Sequence, residues 1–304
     1  MILIGENIHV ISKQVREALI NRDEKFISEL IKIQSNMDFI DLNIGPAKGD
    51  MEEILPWLAS LVKKYSDLNI SFDTTNSDEM RNGLENFDGK TFINSTSSDE
   101  PRLSRMTDMA AEFGSNLIAL TLSKETGIPK TSDGRLEIAF NIYEKCLEKD
   151  IDSEKLFFDP LILPVNVEQS QGLEAINTIK MIKESFDPPV KTVVGLSNIS
   201  NGCPKEIRPL INRVYACLAF GAGLDAAIID AKDVELVRIL KMLSENIPQS
   251  DIDNLYIKLA QMIREFGELD DVEFDKKCVE QLRIIKTAGV LLNREIYSHS
   301  FTQI

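Results

Sequence analysis

Residues 39–44 read Phe-Ile-Asp-Leu-Asn-Ile and are followed by a turn at Gly45-Pro46. Residues 51–65 then show helical periodicity, and a second apolar run, Ile-Ser-Phe-Asp-Thr-Thr, occupies residues 70–75. A short apolar run followed by a longer amphipathic segment is typical of a strand–helix unit whose strand lies in a buried parallel sheet. The alternation continues in both directions, with further predicted strands at residues 2–7, 91–95, 117–122, 156–163, 191–198 and 225–230. Other predicted helices occupy residues 23–34, 102–113, 136–148, 173–184 and 206–220.

Eight strands that alternate with helices correspond either to a doubly wound sheet or to a closed barrel. No Gly-x-Gly-x-x-Gly motif follows the first strand, which removes the main support for a dinucleotide-binding sheet. Because eight strands close a barrel, we predict an α/β fold, a (β/α)8 TIM barrel, with residues 1–304 as a single domain. Residues 233–288 contain more helical segments than one closing unit needs, which predicts a helical insertion there. Extra packing over the outer ring is favoured over a docking surface for a partner protein.

The charge balance excludes some partners. The chain has 34 Lys and Arg against 49 Asp and Glu, a net charge of −15. Nucleic acids and anionic membranes both require a basic face, so neither is expected as a partner. The chain start lacks a secretory-signal pattern, and no apolar run approaches the roughly 20 residues of a bilayer span. The four cysteines are scattered without a Cys-x-x-Cys motif, which argues against zinc or disulfides. We therefore expect a cytoplasmic protein without a bound metal.

Polar side chains mark the ends of the predicted strands. In a barrel the C-terminal strand ends form the active site. Here they carry carboxylates and amides, with few lysines, histidines or cysteines, which disfavours Schiff-base, serine or thiol catalysis. Neighbouring carboxylates and amides suit a heterocycle that presents hydrogen-bond donors and acceptors along one edge. A single strand-end Asp equally often caps a helix, but seven polar strand ends together favour a binding site.

Eight motifs occur in a fixed order. They are Gly5-Glu6-Asn7-Ile8, Ile40-Asp41-Leu42-Asn43-Ile44-Gly45-Pro46, Phe72-Asp73-Thr74-Thr75-Asn76, Phe92-Ile93-Asn94-Ser95-Thr96, Gly127-Ile128-Pro129-Lys130, Phe158-Asp159-Pro160-Leu161-Ile162-Leu163-Pro164, Lys191-Thr192-Val193-Val194-Gly195-Leu196-Ser197-Asn198-Ile199-Ser200 and Arg208-Pro209-Leu210-Ile211-Asn212-Arg213. Together they resemble the pterin-binding methyltransferases that move a methyl group between N5 of tetrahydrofolate and the cobalt of a corrinoid protein. These include the methyltetrahydrofolate:corrinoid/iron–sulfur protein methyltransferases and components of corrinoid O-demethylase and glycine-betaine systems. The resemblance covers roughly residues 1–232 and resumes near Leu291.

The resemblance implies roles for individual residues. Asp73, Asn94 and Asp159 take the positions that hold the pterin ring. Asn198 takes the position that approaches N5 and assists its protonation, and Arg208 matches an arginine near the pterin and its tail. Further candidates are Gly195 and Ser197 on the floor of the site and, with less support, Asn7, Asp41 and Asn43. The resemblance also implies (methyl)tetrahydrofolate as substrate, a corrinoid (cobalamin) carried by a partner protein, a homodimer, and a reaction of the EC 2.1.1 type.

Other interpretations stay open. His9 is expected to be a structural hydrogen-bonding residue and Cys203 a free thiol, and Asp230 is left outside the catalytic set. A dihydropteroate synthase-like enzyme would need an Arg-x-His on the last strand, whereas residues 226–230 read Ala-Ala-Ile-Ile-Asp. That alternative is disfavoured. A non-catalytic module that binds folate or a corrinoid protein is the second alternative. The direction of methyl transfer and the identity of the corrinoid partner are not encoded in these motifs.

Overall fold

Eight parallel strands form a closed barrel in chain order. The structure is a computed structural model that describes residues 1–47, 49–51 and 53–302. Each strand pairs with the next along the chain, and the last pairs with the first. The strands are β1 (Ile2–His9), β2 (Phe39–Gly45), β3 (Asn69–Thr74), β4 (Thr91–Thr96), β5 (Asn116–Leu120), β6 (Leu156–Asp159), β7 (Lys191–Gly195) and β8 (Ala226–Ile229). The prediction of a (β/α)8 TIM barrel is confirmed.

Helices surround the barrel. They are α1 (Lys13–Ile20), α2 (Glu24–Ile33), α3 (Ile54–Tyr65), α4 (Ser77–Glu85), α5 (Arg102–Phe113), α6 (Ser132–Glu148), α7 (Ser170–Ser185), α8 (Arg208–Gly221), α9 (Val234–Glu245), α10 (Asp251–Arg264) and α11 (Val279–Leu291). Side-chain caps begin several of them. For example, the Asn76 side chain accepts from the Asp78 N–H at the start of α4. Residue 52, which the sequence analysis places in a helix, lies outside the described residues. None of the described helices is both long and apolar enough to cross a membrane.

Aromatic rings fill the interior of the barrel. The Phe92 ring packs edge-to-face against Phe39 and Phe157, with 4.8 Å between ring centroids in each pair. These rings belong to a buried cluster whose other members include Ile4 and Val193. Such a packed interior is usual for this fold and leaves room for a ligand at the C-terminal ends of the strands.

The helices that follow β8 form an additional layer. Helix α9 packs beside α8, α10 packs against α8, and α11 contacts both α7 and α8. A Cβ atom on Gly221 of α8 would collide with the Ala260 carbonyl of α10, so the two helices touch at their backbones. Helix α8 is consequently buried along most of its length, including Val214 and Leu218. The extent of the predicted insertion, residues 233–288, stays a prediction.

Two strands end earlier than their apolar runs. The runs at residues 156–163 and 191–198 predict longer strands than are found, since β6 ends at Asp159 and β7 at Gly195. Pro160 has no N–H to donate, and Leu161 has a φ of 64°, so the chain turns there. Residues Leu196–Ser200 form a 3-10 helix instead of continuing β7. Both early endings create the turns that carry Asp159 and Asn198.

Candidate functional site

A cavity of about 890 Å³ opens at the C-terminal ends of the strands. The predicted site residues that line it are Asp41, Asn43, Asp73, Asn94, Asp159, Gly195, Ser197, Asn198 and Arg208. They come from β2, β3, β4, β6, β7, the 3-10 helix after β7, and α8. The barrel topology therefore brings residues from most of the sequence motifs to one place.

The wall made by β2, β3 and β4 is an ordered network of acids and amides. The Asp41 Oδ1 atom accepts from the Ser71 hydroxyl at 2.6 Å and from Asn94 Nδ2 at 3.1 Å. The Asn43 amide nitrogen donates to the Asp73 carboxyl group. Because Nδ2 of Asn94 is used inside the network, this residue can offer its amide oxygen to a ligand as an acceptor.

Burial makes the acids of this wall difficult to ionise. Desolvation raises the pKa of Asp41 to about 6, although the hydrogen bonds from Ser71 and Asn94 oppose the shift. Desolvation and the charge of Asp41 raise the pKa of Asp73 well above its usual value. A ligand that donates hydrogen bonds to these oxygens would offset the cost of their burial. Among the described residues, no three His, Cys, Asp or Glu side chains are grouped so as to hold a metal ion.

Asp159 faces the same cavity from the end of β6. Its Oδ1 accepts from the Leu161 N–H at 2.8 Å, a bond made possible by the turn at Leu161. Its backbone carbonyl accepts from both the N–H and the hydroxyl of Thr121 on the neighbouring chain segment. Desolvation raises the pKa of Asp159 to about 7, opposed by the Leu161 N–H and by the fully buried Arg135. The carboxyl group is thus fixed in place, and its burial favours the protonated form.

Asn198 lies on the floor of the cavity, directly over the end of β7. A Cβ atom on Gly195 would be 2.9 Å from Asn198 Nδ2, closer than real Cβ atoms approach a neighbour. Gly195 has an ordinary φ of −77°, so space rather than backbone conformation requires glycine here. The missing side chain lets the Asn198 amide lie against the β7 terminus while the residue stays exposed to the cavity.

The opposite wall is basic. Lys205, Arg208, Arg213 and Lys232 line the cavity at the start of α8 and after β8. Arg208 Nε donates to the Cys203 carbonyl at 2.7 Å, and Arg213 pairs with an Asp side chain of the same wall. The cavity therefore has an acid-and-amide wall and a cationic wall, although the chain as a whole carries a charge of −15. This arrangement suits a ligand with a neutral hydrogen-bonding head and an anionic tail.

Asn7 forms hydrogen bonds to the chain segment that follows β8. Its Nδ2 donates to Asp230 Oδ1 at 2.6 Å, and its Oδ1 accepts from the Ala231 N–H at 3.0 Å. Asp230, which the sequence analysis leaves outside the catalytic set, lines the cavity. Asn7 itself is not among the residues that line the cavity, and its side chain holds the Asp230 carboxyl group in place.

Glu6 and His9 also line the cavity. The pairing of β1 with β2 shifts register between Gly5 and Ile8, and this bulge alters the direction of the intervening side chains. Gln34, the residue after α2, approaches Gly5 closely and accepts from the Asn7 N–H at 3.3 Å, which fixes the bulge. Glu6 lies two residues after Ile4, which points into the barrel, so strand alternation could have indicated that Glu6 faces the cavity.

The family of the chain follows from these features and from sequence comparison. The sequence model of the family described as "Pterin binding enzyme" matches residues 41–230. That range begins at Asp41 and ends at Asp230, and so contains most of the cavity lining. The chain belongs to the pterin-binding enzyme family, and the resemblance drawn from the motifs is confirmed at this level.

Similar proteins include methyltransferases. The chain is 30% identical over 247 residues to the methionine synthase of Mycobacterium tuberculosis, covering 77% of this chain and 21% of that protein. It thus spans about a fifth of the length of that relative. It is 24% identical over 234 residues to the methylcorrinoid:tetrahydrofolate methyltransferase of Eubacterium limosum, covering 76% of this chain and 85% of that one. Relatives of the methyltransferase type support an enzyme of the pterin-binding family.

Solved structures share the barrel. The dihydropteroate synthase of Yersinia pestis superposes with a TM-score of 0.56 at 15% identity, covering 80% of this chain and 93% of that one. A truncated 3-deoxy-D-arabino-heptulosonate 7-phosphate synthase from Thermotoga maritima gives a TM-score of 0.56 at 12% identity, covering 81% of this chain and 88% of that one. At these identities the likeness shows the fold alone.

Proposed function

We propose that the protein moves a methyl group between N5 of tetrahydrofolate and the cobalt of a corrinoid carried by a partner protein. The observation that carries the proposal is the Asn198 amide, held over Gly195 on the same cavity floor that Asp73, Asn94 and Asp159 surround. The names of the relatives from M. tuberculosis and E. limosum support it. The chain is further proposed to act as a cytoplasmic homodimer.

The acid-and-amide wall suits the pterin ring. A reduced pterin presents an amino group and ring N–H donors on one side and a carbonyl acceptor beside them. The carboxyl groups of Asp73 and Asp159 can accept from these donors, and Asn94 offers its amide oxygen. Such bonds recover part of the free energy that burying the acids costs. The cationic wall then receives the anionic glutamate tail, and Arg208 is the residue of that wall that we expect to contact the tail.

The Asn198 amide suits the chemistry at N5. An amine nitrogen is a poor leaving group because the electron pair of the broken bond stays on it, so its departure requires a proton or a hydrogen-bond donor at that nitrogen. A fixed donor aimed at N5 stabilises the departing nitrogen, and one such bond contributes about 3–4 kcal/mol, or roughly 10²–10³ in rate. The reduced cobalt of the partner is the nucleophile. The protein therefore orients the two reactants and needs no nucleophile of its own.

Two variants test the proposal. In single-turnover assays with 5-methyltetrahydrofolate and free cob(I)alamin, Asn198→Ala should slow methyl transfer by about 10²-fold. Equilibrium titration should show its folate affinity within a few-fold of wild type. Asp159→Ala should instead chiefly weaken folate binding, because that side chain holds the ring.

Several results would contradict the proposal. An unchanged rate of methyl transfer in Asn198→Ala would show that the Asn198 amide does not assist the departure of N5. Folate binding by the wild type without any transfer would identify a binding module. Formation of dihydropteroate from a pterin diphosphate and p-aminobenzoate would identify a synthase.

A further inference from the structure

Glu6 is a half-buried acid of the cavity that the proposed function does not use. It lies on β1, which pairs with β8 on one side and β2 on the other. Ser197, the residue before Asn198, lies beside its carboxyl group, and Asp41 and Asp230 are close enough to act on its charge. Glu6, Ser197 and Asn198 all line the same cavity.

The other cavity acids are held by donors of the framework. Asp41 accepts from Ser71 and Asn94, and Asp159 accepts from the Leu161 N–H. Asp230 accepts from Asn7 and from the backbone N–H of residue 232. For Glu6, by contrast, no bond from a backbone N–H or a cationic side chain occurs among the described residues. Its neighbour is a hydroxyl, a group that can both accept and donate a proton.

We propose that Glu6 exchanges a proton with N5 of the folate through the Ser197 hydroxyl. This inference rests on the proposed function. In transfer to cobalt, the bond between methyl and N5 breaks and its electron pair stays on nitrogen. The cobalt(I) electron pair forms the new bond to carbon, which leaves cobalt formally as cobalt(III). N5 gains the proton that Glu6 gives up, and the Glu6 carboxylate is later protonated from solvent. In the reverse direction the carboxylate receives the proton that N5 releases.

The environment of Glu6 suits a group that works in both directions. Desolvation raises the pKa of Glu6 to about 7, the Ser197 hydroxyl opposes this shift, and the charges of Asp230 and Asp41 add to it. Proton transfer is most effective when the pKa of the group lies near the working pH. The charged groups around it also include His9 and Lys232, which line the cavity beside Asp230.

The test compares pH profiles. For wild type, the single-turnover rate constant from 5-methyltetrahydrofolate to cob(I)alamin should fall as pH rises through about 7, because the acid form of Glu6 is lost. Glu6→Gln should slow transfer at pH 7 by about 10²-fold. Between pH 6 and 8 the rate constant of Glu6→Gln should no longer fall as pH rises, while its folate affinity stays within a few-fold of wild type. Glu137→Gln, an exposed change on α6, is the surface control.

A second pair of variants isolates the hydroxyl. Ser197→Ala should lose the same pH-dependent decline, and Ser197→Thr, which keeps a hydroxyl, should largely restore it. If thermal unfolding shows that Glu6→Gln does not fold, the two Ser197 variants still test the proton exchange. A wild-type pH profile in Glu6→Gln or in Ser197→Ala would overturn the inference. Absence of folate binding by the wild type would instead overturn the proposed function itself.

Discussion

Replacing Gly195 by alanine tests how closely the Asn198 amide must be positioned. The added Cβ would be 2.9 Å from Asn198 Nδ2 and 3.8 Å from its Cγ. Ordinary van der Waals contact begins near 3.4 Å. The amide must therefore shift by about half an ångström or rotate away, while the backbone at φ −77° accepts alanine without strain.

The expected result is a loss of activity without a loss of stability. A displacement on the order of 1 Å in a positioned group costs up to about 10²-fold in rate. We expect methyl transfer by Gly195→Ala to fall roughly 10- to 100-fold. The midpoint of thermal unfolding should stay the same or rise slightly, because alanine reduces the freedom of the unfolded chain.

The assay is single-turnover transfer to cob(I)alamin, with thermal unfolding measured on the same samples. Gly267→Ala is the matched control, because its Cβ would meet Met262 at an ordinary 3.6 Å and lies outside the cavity lining. Wild-type transfer by Gly195→Ala would refute the reasoning, since it would show that the amide can move without consequence. An equal loss of methyl transfer in Gly267→Ala would show that adding a methyl group anywhere in the chain lowers activity, and not that the Asn198 amide has moved.

Two further substitutions concern stability. Folding raises the pKa of Asp159 from 3.8 to about 7, so the folded state holds this proton more tightly than the unfolded state does. The free energy of unfolding therefore falls as pH rises between these two values, by on the order of 2–4 kcal/mol in total. Asp159→Asn should therefore gain stability relative to wild type at pH 8 but not at pH 4 in thermal unfolding; an equal difference at both pH values would contradict this. Gly221→Ala should lower the free energy of unfolding by about 1–3 kcal/mol, because its Cβ meets the Ala260 carbonyl. Folate affinity should not change, and an unaltered urea midpoint would show that α8 and α10 can separate freely.

The sequence predicts the barrel well because strand–helix alternation repeats the same signal many times. Helix α5 begins and ends where its amphipathic pattern does. Helices α1 and α4 are not predicted, because they are only 8 and 9 residues long and at least half of their residues are polar. Their burial depends on neighbours that a local pattern does not contain.

The candidate site is predicted in outline only. Asp73 and Asn198 lie in the cavity as their motifs indicate, because strand ends of a barrel converge at one face. The orientation of Asp230 depends on Asn7, 223 residues away in the chain. Contacts of this kind arise from tertiary packing, so short motifs do not reveal them.

The aromatic packing of Phe39, Phe92 and Phe157 closes the barrel beneath the cavity. Both reactants of the proposed transfer must then use the mouth formed by the strand ends. An ordered mechanism follows: the small folate enters first, the bulky corrinoid protein covers it second, and departure runs in reverse. A large excess of the protein partner should therefore trap folate inside and inhibit steady-state turnover.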